Sequence, residues 1–182
     1  MSKHYIKEVL KEEVEKITRL AIFDFDATLI DTPLPEQGMQ IYKKVTGKDW
    51  PYKGWWGRRE SLDMDIFDMP ANRAVVSDYV KERQNKNTLT VLLTGRIPPL
   101  EKEVKKILDS NSLKFDEYHF NTGGSTLNFK LHVLDELLKK YPDVKSVHMW
   151  EDRVEHVPSF EQWGESNPID FDITVVESNH HI

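Results

Sequence analysis

The chain has 182 residues and no cysteine, which excludes a disulfide framework, a thiolate metal site and a cysteine nucleophile. Its length can bury one hydrophobic core without a structural metal, and 38% hydrophobic with 31% charged residues of mixed sign fits a packed core under a charged surface. A formal net charge of -6 argues against a protein that coats nucleic acid by general attraction, although it leaves room for a local basic patch.

The N-terminal stretch Met1–Arg19 is charged throughout, and no apolar run approaches the roughly 18 residues of a membrane helix. A cytoplasmic chain without membrane association, organised as a single domain over 1–182, is the expectation. Ile6, Val9, Leu10, Val14 and Ile17 recur at helical spacing and predict a packing helix over 3–18, so that residues 1–18 form an N-terminal helical segment. Leu20 to Phe25 is a short apolar run ending in acids, as in a strand buried on both faces of a parallel sheet. From Asp31 to about Pro70 periodicity fails among Pro33, Pro35, Pro51, Gly38, Gly47, Gly54 and Gly57, so 31–70 reads as a long irregular insert holding Trp50, Trp55 and Trp56.

Beyond it, a helix over 71–86 leads to a strand at Thr88–Leu93, which ends at Thr94-Gly95-Arg96. A helix over Pro99–Leu108, a strand at Glu117–Phe120 and a helix over Asn128–Lys140 follow. A strand at Val144–Trp150 ends at Glu151-Asp152-Arg153, and a helix over Val157–Trp163 precedes a last strand at Phe171–Val176. His180 and His181 read as a loose tail rather than a metal site. This alternation predicts an α/β fold with a parallel sheet between two helical layers, and places ligands beyond the carboxyl ends of the strands. Three strands end in chemistry there: Asp24 and Asp26, then Thr94, then Glu151 and Asp152.

In extended chain, residues two apart share a face, so Asp24 and Asp26 can point into one site. Clustered carboxylates from two strands suit Mg2+, which binds through one or two protein carboxylates plus a substrate phosphate. Asp24-Phe25-Asp26-Ala27-Thr28 after an apolar strand resembles the first motif of the haloacid dehalogenase (HAD) superfamily. Thr94, Lys130 and Glu151-Asp152 match its other three motifs in order, over about residues 19–176. The resemblance implies a Rossmann-like three-layer sandwich with 31–70 as a small cap or flap after the first strand. It also implies a phosphatase in which Asp24 attacks the phosphoryl group, and Asp26 protonates the leaving group and then activates water. Thr94, Gly95 and Lys130 would hold the phosphate, and Asp24, Asp26, Asp152 and Glu151 the Mg2+, with Asp152 favoured over Glu151 as direct ligand.

Thr94-Gly95-Arg96 and Glu151-Asp152-Arg153 resemble motifs of polynucleotide kinase-phosphatases, which makes Arg96 and Arg153 further phosphate-binding candidates. Thr32-Pro33, Gly54-Trp55-Trp56, and Trp150 to Arg153 with His156 and Phe160 are similar to the phosphatase-type domain of the Swiss Army Knife RNA-repair proteins, which carry Gly at the position of Ala27. His156 is read as a structural partner at a helix start. Trp55 and Trp56, with Arg58 and Arg59 behind them, are candidates for a substrate-covering face. The expected substrate is a phosphate monoester, with a nucleotide or nucleic-acid end favoured. A small-molecule HAD phosphatase and a phosphate-end-binding module without turnover are the alternatives, and the oligomeric state is open.

Overall fold

The computed structural model describes residues 16–177. Five parallel strands stand in the order β3-β2-β1-β4-β5: β1 Arg19–Phe23, β2 Thr88–Thr94, β3 Glu117–Phe120, β4 Ser146–Glu151 and β5 Asp170–Val175. The chain builds outward from β1 on one side and then crosses to β4 on the other. The strand order therefore reverses between β1 and β4, where a crevice opens beyond the carboxyl ends. Register puts Phe23 level with both Leu92 and Trp150, so the residues after these three strands emerge together.

Strand alternation divides the core into two layers. Ala21, Phe23, Leu92 and Trp150 face helices α2 (Arg73–Arg83) and α3 (Glu101–Ser110), meeting Val75, Tyr79, Val104, Ile107 and Leu108. Leu20, Ile22, Val91, Leu93, Val147 and Met149 face α4 (Thr126–Lys140) and α5 (Val157–Glu165), meeting Val133, Leu134, Leu137, Phe160 and Trp163. This is the expected three-layer α/β sandwich. The amides at the N-termini of α2 and α4 are satisfied locally. The Asn72 side chain accepts from the Ala74 and Val75 amides at 3.1 and 3.3 Å, and the Ser125 hydroxyl accepts from the Asn128 amide at 3.2 Å.

Between β1 and α2 the chain leaves and returns at one point, since the Asp31 amide donates to Pro70 O and the Asn72 amide to Leu29 O, both at 2.8 Å. The segment between is more ordered than its sequence suggested, because it contains helix α1 over Pro35–Thr46. Pro35 and Gly47 read as breakers, yet they are the boundary signals of this helix: proline pre-sets its first turn and Gly47 closes it at φ 75°. Gly38, inside α1, lies against the Trp55 indole so closely that a Cβ would collide with the ring. The helix expected over 3–18 falls almost wholly outside the described residues, with 16–18 running as irregular chain into β1, and His180 and His181 also lie outside them.

Candidate active site

Asp24 is the first residue beyond β1, and its amide still pairs with Trp150 O at 3.1 Å. A tight turn follows, closed by the Ile30 amide to Phe25 O and the Ala27 amide to Ile30 O. Ala27 takes φ 56° there, the left-handed region in which a β-carbon costs energy, so the turn carries strain that glycine would not. The turn brings Thr28 back so that its hydroxyl lies 2.9 Å from Asp24 Oδ2 and 3.3 Å from Asp152 Oδ1.

Lys130 lies in the second turn of α4 rather than at its start, and it is only 1% exposed. Its Nζ donates to Asp24 Oδ1 at 2.9 Å and to Glu151 Oε2 at 2.7 Å. The other Glu151 oxygen accepts from the Arg153 amide at 3.2 Å, so Glu151 is bound on both sides and fully buried. Among the described residues, Asp24, Glu151 and Asp152 form a group whose offered oxygens all lie within 4.8 Å of one another.

Three carboxyls facing one ammonium leave negative charge in excess. Burial pushes Asp24 above the usual carboxylate range, Glu151 adds to that, and Lys130 opposes both. Burial and then Asp24 push Asp152 up to about 9. Burial disfavours the charge on Lys130, but Asp24 and Glu151 outweigh it and hold its pKa above the ordinary lysine value. This all-oxygen donor set with unrelieved charge fits a hard divalent cation.

Asp26 turns the other way, and its carboxylate stands outside that cluster. Arg96 grips it through both oxygens, Nε to Oδ2 at 2.9 Å and Nη2 to Oδ1 at 2.8 Å, while the Thr32 hydroxyl donates to Oδ1 at 2.7 Å. Arg96 is 2% exposed, and its Nη1 donates to Trp56 O at 2.9 Å and to the Ser61 hydroxyl at 2.7 Å. The guanidinium that sequence comparison offered as a phosphate ligand is thus engaged with Asp26 and with the insert.

A cavity of about 640 Å³ opens over these groups. Of the expected residues, Asp24, Asp26, Gly95, Arg96, Lys130, Asp152, Arg153 and Trp56 line it. Thr94 is buried behind this wall, its hydroxyl accepting from the Arg96 amide at 3.1 Å, and Glu151 is likewise buried behind Lys130. Trp55 does not reach the cavity: at 4% exposure it packs among Gly38, Trp50 and Phe67 and belongs to the core. Arg153 lies on the rim with its Nε donating to Glu155 at 3.0 Å. His156 is buried edge-on against Phe160, and burial, then the charge of Arg153, lowers its pKa.

Two contributors, Thr126 and Ser61, escaped the sequence, and the role of a third, Thr32, was not foreseen although its motif was noted. Thr126 opens α4, lines the cavity and approaches Gly95 so closely that a Cβ there would meet its hydroxyl at 2.8 Å. The Gly123-Gly124-Ser125 turn before α4 was the available signal for it. Thr32 and Ser61 act through Asp26 and Arg96 across the insert, a relationship no local pattern carries.

Comparison with known proteins agrees with this fold. A Saccharomyces cerevisiae protein, YMR265C, is 24% identical over 170 residues, which cover 81% of this chain and 37% of the yeast protein. The structure of the Pnkp1/Rnl/Hen1 complex matches at TM-score 0.55 and 17% identity, over 89% of this chain and 46% of that one. A HAD-superfamily hydrolase of subfamily IA from Geobacter sulfurreducens matches at TM-score 0.52 and 12% identity, over 91% and 95%. The chain thus spans less than half the length of the yeast relative and of the Pnkp1/Rnl/Hen1 chain. Residues 32–181 match the model of HAD domain family 1 in Swiss Army Knife RNA repair proteins, and the chain belongs to that family of the HAD superfamily.

Proposed function

We propose that the protein is a Mg2+-dependent phosphohydrolase that acts on a phosphate monoester through an aspartyl-phosphate. The observation that carries this reading is Asp24 itself, held at the carboxyl end of the central strand by Lys130 and Thr28, with Asp26 held separately by Arg96. On this reading one carboxylate attacks and the other transfers the proton, and different partners orient them.

In this reading an Asp24 oxygen attacks phosphorus as the bond to the leaving oxygen breaks, and Asp26, entering the step in its protonated form, supplies the proton that oxygen needs. Asp26 then takes a proton from water, the water attacks the aspartyl-phosphate, and Asp24 is restored with release of phosphate. Lys130 offsets charge on the transferring group, and Gly95 and Thr126 line the cavity that would receive its oxygens. Asp24 and Asp152, with Glu151 behind them, would hold Mg2+, which supplies further charge neutralisation when bound.

Family membership and the likeness to the Pnkp1 complex favour a nucleotide or a nucleic-acid end as substrate. The test is phosphate release with Mg2+ from nucleotides, sugar phosphates and 3′- or 5′-phosphorylated oligonucleotides, with Asp24→Asn as control. Release from at least one ester that disappears in the variant is expected. No release across the panel, with intact folding, contradicts the reading.

A further inference from the structure

Trp56 is unusual among the aromatic residues of the insert. Trp50 and Trp55 pack with each other, with Tyr42 and with Phe67, whereas Trp56 remains 42% exposed and lines the cavity above Asp24. It is nevertheless firmly held. The Arg96 guanidinium lies over its ring, 5.0 Å from the centroid, and donates to its backbone carbonyl. A large apolar ring is therefore held at the mouth of a charged site with 42% of its surface left in water, an exposure that hydrophobic burial does not explain.

Its surroundings add to this. Leu34, Val154, Val175 and Val176 line the same cavity, and Val154 and Val175 are exposed. The cavity lining thus joins acidic and cationic groups for a phosphoryl group with a stretch of apolar wall, and Arg153, Glu155 and Glu177 line it as well. A polyhydroxyl group against that wall would give up water without gaining hydrogen bonds, whereas a flat ring would cover apolar surface.

Building on the phosphohydrolase reading above, we propose that Trp56 is a stacking platform for a planar ring carried by the alcohol half of the ester, such as the base of a terminal nucleotide. Arg96 covers one face of the indole and grips Asp26 at the same time. The platform and the proton donor are parts of one unit, so a ring seated on Trp56 places the leaving oxygen in register with Asp26. Trp56 determines specificity and takes no part in the chemistry.

The test compares adenosine 5′- and 3′-monophosphates with ribose 5-phosphate, which has a phosphate and a sugar but no base. Stacking of one base corresponds to roughly 5- to 150-fold. Wild-type kcat/KM is expected to favour the better nucleotide by a factor in that range. Trp56→Ala should bring the ratio toward one, Trp56→Phe should keep part of it, and Met64→Ala, exposed in the same insert, should keep all of it. A wild-type ratio near one, or a ratio that survives Trp56→Ala, overturns the proposal. The same ratio read as Kd on an Asp24→Asn background, with and without Trp56→Ala, decides the matter even if no ester is turned over. Absence of turnover counts against the phosphohydrolase reading alone.

Discussion

Arg96 holds Asp26 through both carboxylate oxygens, at 2.9 and 2.8 Å, from a position 70 residues further along the chain. Its remaining Nη1 donates to Trp56 O and Ser61, so one buried guanidinium joins the insert to the residue assigned proton transfer. Lysine cannot reproduce a planar fork with three separate engagements. Arg96→Lys should therefore lower kcat, by up to the roughly 100- to 10,000-fold that a positioned acid and base contribute, with a smaller effect on KM. The loss should be smaller with an aryl phosphate, whose leaving oxygen needs less help from a proton, than with an alkyl phosphate. Equal losses on both would mean that Arg96 supports the fold rather than Asp26.

Lys130 is the only cation hydrogen-bonded to Asp24 and Glu151 among the described residues. Lys130→Met leaves two buried carboxyls uncompensated, a change that costs about 3–5 kcal/mol near neutral pH. Without the ammonium that opposes it, the folded-state pKa of Asp24, already above the usual carboxylate range, rises further. The folded state then binds more protons than the unfolded one, and stability falls as pH rises. Denaturant titrations at pH 5 and pH 8 should show the deficit shrinking at the lower pH. A deficit independent of pH contradicts the assigned charge balance.

Asp152, pushed up to about 9 by burial and by Asp24, would hold a proton at neutral pH that a bound divalent cation would displace. Mg2+ binding should release about one proton at pH 7, and affinity should rise with pH up to about 9 and then level off. Calorimetry in two buffers of different ionisation enthalpy reads the proton directly. Binding with no proton release and no pH dependence between pH 6 and 8 removes Asp152 from the ligand set.

The contact between Gly38 and Trp55 predicts that Gly38→Ala destabilises the protein, since the added methyl meets the indole in a filled space. Overpacking of this kind typically costs about 1–3 kcal/mol. Thermal melting of the variant measures it, and an unchanged Tm would show that Trp55 moves aside freely.

Much of this architecture was legible in the sequence because parallel sheets write themselves as short continuous apolar runs: Leu20–Phe25 and Thr88–Leu93 are nearly all buried. Asp24 and Asp26 at the end of the first run and Thr94-Gly95-Arg96 after the second marked the strand ends, and strand ends in such sheets converge on one crevice. Helix α1 was missed because its buried side is narrow and is built around Gly38, so its apolar residues do not form a wide stripe. Side-chain pairing across the fold was not legible at all. Arg96 and Trp55 each sat in a suggestive motif, but only tertiary packing turns Arg96 toward Asp26 and seals Trp55 in the core. Nor did periodicity foretell that Leu34, Val154 and Val175, from three distant segments, would line one cavity.

The identity of the nucleophile can be read by mass. Wild-type protein mixed with a turned-over ester and Mg2+, then quenched in acid, should carry one phosphoryl group on the peptide containing Asp24, and Asp24→Asn should carry none and release no phosphate. Undiminished phosphate release by Asp24→Asn, or an adduct on any other residue, contradicts the account.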